Sequence, residues 1–272
     1  MKSELSIQKI NFKDISNIQV DHWSNTLHTT SIIFLPAIGV PVAKYEKLFQ
    51  HLFGIGYNLI YADYPGCGRN TPTVSRHFDY GYADLIDEFI PQLHKIAKGN
   101  AAKKIILFGH SLGGHLATLY AQHHRIITIG IATGNIGLRY WDLKGKINIL
   151  KAATVFNVMI LKDGFLAGYK VGFGNKEAKS LMRDWSKTIF TGNYKHISGK
   201  NESVSSNQAL FIQLKNDHFA PLPSTLGLSK YFTNPDIITL DLTSDIQGNQ
   251  HSAWIKQPEL IVTTIKNWLQ KH

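Results

Sequence analysis

The sequence predicts an α/β fold: a doubly wound, mostly parallel sheet with a helical cap inserted into it. Three observations carry this expectation. Short runs rich in Ile, Leu and Val, apolar on both faces, recur along the chain, as strands covered on both sides do. Helical periodicity fills most of the gaps between them. The alternation breaks after Gly134, where roughly seventy residues pass before the next clear strand, longer than connecting loops ordinarily run.

The strands are read in order as "SIIFLPA" (31–37), "NLIYADY" (58–64), "KIILFGH" (104–110), "IITIGIATG" (126–134), "QALFIQLK" (208–215) and "DIITLDL" (236–242). Between the first two, "VAKYEKLFQHLFGIG" sets Val42, Tyr45, Leu48, Phe49 and Leu52 on one helical face and stops at Gly54 and Gly56. "YGYADLIDEFIPQLHKIAKG" reads as a second helix, "SLGGHLATLYAQHHR" as a third, and "PELIVTTIKNWLQKH" as the last. The expected division is a core of residues 1–134 and 206–272, with a helical cap at 135–205 inserted between two strands.

Composition narrows the class. A chain of 272 residues, 43% hydrophobic, suits one large domain or one domain with an insertion. The longest apolar candidate, "INILKAATVFNVMIL" (147–161), is interrupted by Lys151 and falls short of the roughly 18 residues a membrane span needs. The first residues show no apolar leader core, and Cys67 stands alone, so no internal disulfide is expected. These features predict a cytoplasmic protein.

The net charge of +10 is unevenly spread. Residues 134–200 hold twelve Lys/Arg against four Asp/Glu, a net of +8, which leaves about +2 elsewhere. The lysines are interleaved with apolar residues, without a basic arm or zinc-ligand spacing, so a nucleic-acid partner is not expected. Such a surface suits something both anionic and greasy: an acyl-CoA, a lysophospholipid or a membrane surface. A plain solvated lysine face is the alternative.

The chemistry centres on "LFGHSLGGHLA" (107–117). Gly109-His110-Ser111-Leu112-Gly113 has the form G-x-S-x-G, set between a predicted strand and a predicted helix. In that form a serine occupies a strained strand-to-helix corner, and small neighbours let the two elements pass closely. The following helix aims its N-terminal N–H groups at the corner, and Leu112 N–H becomes a donor for an oxyanion. A serine hydroxyl needs a base, and the expected chain order is Ser, then Asp or Glu, then His.

His251, in "DIQGNQHSAW" after the last strand, would emerge at the same sheet edge as Ser111. His115 should point away along its helix. His123 and His124 lie at that helix's far end, His196 within the cap, and His272 at the terminus. Asp217, just past "ALFIQLK", is the expected acid, with Asp241 and Asp245 as fallbacks and His218 as a competing base. The second oxyanion donor should come from "LPAIGVP" (35–41), with Ile38 N–H chosen and Ala37 next. Trp141, Phe156, Met159 and Trp185, together with Phe165 and Tyr194, could line an apolar pocket beneath the cap. Cys67, between Gly66 and Gly68, has no expected base, and "YADYPGCGRNTP" lacks the Gly-Lys-Ser/Thr of a phosphate loop.

These stretches resemble the α/β-hydrolase superfamily over nearly the whole chain: "GHSLGG", "DYPGCG", "NDHFAP" and His251. Within it the chain is most similar to predicted serine hydrolases related to the serine aminopeptidase and monoglyceride lipase group, marked by "PAIGVP" and "RDWSKTIFTGNY" (183–194). One departure is Gly248, three residues before His251, where Gly-His is common in the fold. The resemblance implies hydrolysis of an ester-type acyl bond, carboxylic ester or thioester, through an acyl-enzyme. Ser111 is then the nucleophile, His251 the base and Asp217 its orienting acid, with no cofactor or metal required. Rival readings are an acyltransferase using the same residues, and a non-catalytic binding protein on the same fold.

Overall fold

The computed structural model describes residues 3–99, 102–198, 203–242 and 246–272. Its centre is an eight-stranded sheet in the order β1-β2-β4-β3-β5-β6-β9-β10. The strands are β1 (Ser3–Phe12), β2 (Ile15–Asn25), β3 (Thr30–Leu35), β4 (Tyr57–Tyr61), β5 (Lys104–His110), β6 (Ile127–Ile131), β9 (Ala209–Leu214) and β10 (Asp236–Leu240). From β4 to β10 every pairing is parallel; β1 and β2 add an antiparallel edge.

Helices cover both faces. Alternate residues of each strand serve opposite sides, because side chains of a strand point up and down in turn. Ile32 and Phe34 of β3, with Ile106 and Phe108 of β5, pack with Leu48, Phe49 and Leu52 of α1 (Glu46–Gly54) and with Ile261, Ile265 and Trp268 of the last helix, α6 (Glu259–Leu269). Ile33, Leu35 and Leu107 face the other way, onto Leu93 of α2 (Ile90–Gly99) and Leu116 and Tyr120 of α3 (Leu112–Ala121).

The six parallel strands and the helices between them follow the sequence expectation, with strand ends trimmed by up to three residues. Three features differ. The hairpin β1–β2 was not anticipated. The helix expected from residue 80 is broken by a π turn at Leu85–Phe89, two residues before Pro91. A proline ring lacks the N–H for an i−4 bond and crowds the carbonyl there, so the backbone widens by one residue. The segment between β6 and β9 also carries a two-stranded ribbon, β7 (Leu166–Ala167) with β8 (Lys176–Glu177), beside its helices.

That segment is built mainly from α4 (Leu143–Asp163) and α5 (Lys179–Thr191). Asp142 caps α4 by accepting from Gly145 N at 2.7 Å, and Gly164, at φ 80°, ends it. Ile149, Ala153, Phe156 and Ile160 form the buried side of α4. Among the described residues no helix is long and apolar enough to cross a membrane.

The chain passes from β3 out to β4 and returns to β5 on the other side of β3. The carboxyl ends of β3 and β5 therefore flank the point where the strand order reverses, which is where open α/β sheets place their sites.

Candidate active site

Ser111 occupies the turn between β5 and α3 with φ 52° and ψ −113°. This is left-handed backbone that a non-glycine residue adopts only under constraint. Ser111 N–H donates to Ile131 O (3.1 Å), and Ser111 O accepts from Thr133 Oγ1 (2.7 Å) and Gly114 N (2.9 Å). The flanking glycines make the corner possible. A Cβ on Gly109 would lie 2.1 Å from the Gly113 carbonyl carbon, and one on Gly113 would lie 2.1 Å from Leu35 O. The first turn of α3 thus rests directly on the end of β3.

Asp217 stands just past β9, and its side chain is fully buried. Its Oδ1 accepts from the N–H groups of Phe219 (2.8 Å) and Ala220 (3.0 Å), which helps hold the carboxylate in place. His251 lies on a short helical turn, Gln250–Ala253, whose cap Asn249 accepts from His251 N through Oδ1 at 3.1 Å. Gly248, at φ 105°, brings the chain into that turn. The departure from Gly-His is accommodated by moving the glycine outward and capping with Asn249.

His251 Nδ1 is 2.9 Å from Asp217 Oδ2 and 3.2 Å from Oδ1, and its Nε2 is 3.0 Å from Ser111 Oγ. A carboxylate only accepts, so Nδ1–H donates to it, and in the neutral ring Nε2 is left to accept the Ser111 hydroxyl proton. The sequence-nominated serine, histidine and aspartate, 140 and 34 residues apart along the chain, meet at one point. The competitors among the described residues do not. His218 is exposed. His115 is buried, its Nε2 on Gly134 O (2.7 Å) and Nδ1 on Tyr82 OH (3.1 Å), and burial first of all lowers its pKa to about 4. Asp241 pairs with Lys215 at 2.8 Å; Asp245 lies outside the described residues.

A second set of residues, which sequence reasoning missed, ties the site together. His110 is fully buried, and its Nε2–H donates to His251 O at 2.8 Å. Its Nδ1 is therefore the acceptor, taking the Tyr45 hydroxyl proton at 2.7 Å. Tyr45 OH in turn accepts from Ala37 N–H at 3.1 Å. Burial drives the His110 pKa well down, so the ring stays neutral, as this arrangement of donors requires. Trp254 Nε1–H also donates to His251 O (3.1 Å). The loop after β3 and the backbone that carries His251 are thus joined through the residue just before Ser111. Ala37 N–H is committed to Tyr45, so it is not free to serve as the alternative donor of that loop.

Asp63, past β4, braces the same loop: Oδ1 accepts from Val42 N (2.8 Å) and Oδ2 from Arg69 N (3.2 Å). A Cβ on Gly68 (φ 54°) would sit 2.1 Å from Asp63 Oδ2, which explains the glycine there. Cys67 is turned towards Tyr80 OH (3.6 Å), and burial pushes its thiol pKa up, against any nucleophilic role.

Of the apolar residues nominated beneath the cap, Phe156, Met159 and Trp185 share a cluster with Ile160, Leu166 and Met182 that packs on Ile38. Trp141 packs instead with Ile136, Ile149, Ala153 and Ile189, a cluster without Ile38 that Trp185 also touches. Phe165 packs against the core cluster that includes Tyr194, whose ring meets Tyr82 and His115 at a tilt and Tyr231 edge-on. A cavity of about 130 Å³ borders the loop after β3, lined by Ala37, Gly39, Asp63, Cys67, Lys176 and Glu177 among others, and not by Ser111.

Glu177 is buried in that wall with Asn175 N–H on Oε1 (3.0 Å). Burial lifts its pKa from 4.5 to about 7. A carboxyl with a raised folded-state pKa binds its proton more tightly when folded. Stability is therefore lost as pH rises from the usual carboxylate range through neutrality, by about 3 kcal/mol in all. Glu177→Gln is expected to melt higher than wild type near pH 8 and alike near pH 5; equal differences at both would show that the side chain ionises freely.

Residues 28–143 match the family model described as serine aminopeptidase, S33, a stretch that holds Ile38, Ser111 and Leu112 but not Asp217 or His251. Lysophospholipase L2 of Escherichia coli K12 is 23% identical over 156 residues, covering 56% of this chain and 44% of that protein. The match thus spans less than half the length of this curated relative. Among solved structures, mouse alpha/beta hydrolase domain-containing protein 10 is similar with a TM-score of 0.62 at 18% identity, covering 98% of this chain and 99% of that one. Est1E from Butyrivibrio proteoclasticus, with ferulic acid bound, is similar with a TM-score of 0.66 at 16% identity, covering 97% and 98%. The sheet order, the helices on both faces and these likenesses together give the chain the α/β-hydrolase fold.

Proposed function

We propose that the protein is a serine hydrolase that cleaves an ester-type acyl bond through an acyl-enzyme. The observation that carries this reading is the continuous relay from Ser111 Oγ through His251 to the buried Asp217 carboxylate. Ser111 Oγ attacks the substrate carbonyl carbon as His251 Nε2 takes its proton. The carbonyl oxygen becomes an oxyanion, held by the N–H groups of Leu112 and Ile38. Collapse of the tetrahedral species breaks the acyl–oxygen or acyl–sulfur bond, and His251 returns the proton to the leaving group. Water then attacks the Ser111 ester by the same route and releases the acid. Asp217 keeps Nδ1 protonated and steadies the imidazolium while it exists.

The relatives lend support: a lysophospholipase and a protein that holds ferulic acid suit oxygen esters. The cluster of Phe156, Met159 and Trp185 on Ile38 suits an apolar acyl chain entering beside the oxyanion donors. An acyltransferase would differ only in the acceptor that resolves the acyl-enzyme. The test combines labelling by a fluorophosphonate with hydrolysis of p-nitrophenyl esters of graded chain length. Stoichiometric labelling at Ser111 and a clear optimum in chain length are expected. No labelling of the folded protein would favour a binding protein on the same fold.

A further inference from the structure

The segment between β6 and β9 presents a helix face that the proposed chemistry does not use. On the outer side of α4, Leu143, Ile147, Val158 and Leu161 remain 75%, 46%, 60% and 76% exposed. At 100° per residue these four fall within about 60° of one another, a single stripe running the length of the helix. Lys144, Lys151 and Lys162, all exposed, fall within about 20° of one another along one flank of it. No Asp or Glu occurs in α4 before its final residue, Asp163, which pairs with Lys170 at 3.1 Å.

Single exposed apolar side chains are ordinary. Four on one stripe, bordered by a row of cations, form the pattern of a helix that lies in a bilayer interface. There the apolar side chains enter the headgroup boundary, while lysine stems run along it and place their ammonium groups among phosphates. The charge selects the occupant. A second copy of this chain would bring its own +8 segment against the first, which opposes face-to-face pairing, whereas an anionic lipid surface complements it.

We propose that the outer face of α4 docks on an anionic phospholipid surface, with Leu143, Ile147, Val158 and Leu161 inserted and Lys144, Lys151 and Lys162 at the phosphates. The buried side of the same helix contributes Phe156 and Ile160 to the cluster on Ile38. Docking would therefore hold the loop beside Ser111 about one helix diameter, some 10 Å, from the lipid.

The test is co-sedimentation of the full chain carrying Ser111→Ala with phosphatidylcholine vesicles, with and without phosphatidylglycerol. This variant separates docking from turnover, because binding is expected whether or not Ser111 is a nucleophile. The protein should sediment with the anionic vesicles only, and less so as salt rises. Joint replacement Ile147→Ser, Val158→Ser and Leu161→Ser should lower partitioning on the order of 100-fold. The single Leu161→Ser, at the most exposed of these positions, should lower it about fivefold. Joint Lys144→Gln, Lys151→Gln and Lys162→Gln should also cost on the order of 100-fold. Three results would overturn the proposal: no sedimentation with anionic vesicles at low salt, undiminished binding by folded serine variants, or a dimer in solution that those variants dissociate.

Discussion

Replacing Ser111 with alanine is expected to lower turnover of an activated acyl ester on the order of 10⁶-fold, to abolish fluorophosphonate labelling, and to leave the protein folded. The size follows from the chemistry: without Oγ no acyl-enzyme forms, and what remains is the binding site and its oxyanion donors acting on water. A companion variant separates role from scaffold. Ser111 holds φ 52° and ψ −113°, a conformation that costs a residue with a Cβ on the order of 1–3 kcal/mol. Ser111→Gly removes that Cβ and should melt above both wild type and Ser111→Ala while being as inactive as the latter. Near-normal turnover by the folded alanine variant would remove Ser111 from the mechanism. Equal melting of the glycine and alanine variants would mean the corner stores no strain.

The elbow was legible because its whole requirement is local. A strand, a serine between small residues and a helix start are contiguous in sequence, and the two glycines face backbone atoms that lie within the motif or on the adjacent strand. The parallel strands were legible because both faces are apolar, so each reads as an unbroken run. The β1–β2 hairpin lacks both signals. Its turn is made by Lys13 at φ 50° and Asp14 with neither glycine nor proline, and β2 buries Asp21 and His22 beside Val20, which blurs the period of two. The Ala37–Tyr45–His110–His251 connection was out of reach for a different reason. Tyr45 reads as an ordinary apolar-face residue of a helix, and its partner His110 lies 65 residues on. Only the sheet order β4-β3-β5 brings them together. His110 did carry a signal: a histidine at the end of a strand buried on both faces needs partners for both ring nitrogens.

His251→Ala is expected to cost about as much as loss of Ser111, on the order of 10⁶ in kcat, and to slow fluorophosphonate labelling in parallel, because labelling needs the same proton transfer. Asp217→Asn should cost on the order of 10⁴. Its size differs because the asparagine can turn an N–H towards Nδ1. That would force the proton onto Nε2, where it blocks acceptance from Ser111, while the imidazole itself stays in place. His218→Ala should stay within a few-fold of wild type, since that side chain is exposed and no hydrogen bond links it to Ser111. The three variants are compared by single-turnover kinetics on one p-nitrophenyl ester, with melting curves confirming that each is folded. The ordering is the informative result. An inactive His218→Ala beside an active His251→Ala would transfer the base to the neighbouring histidine, and would mean that the 3.0 Å contact between Nε2 and Oγ is a resting arrangement that turnover does not use.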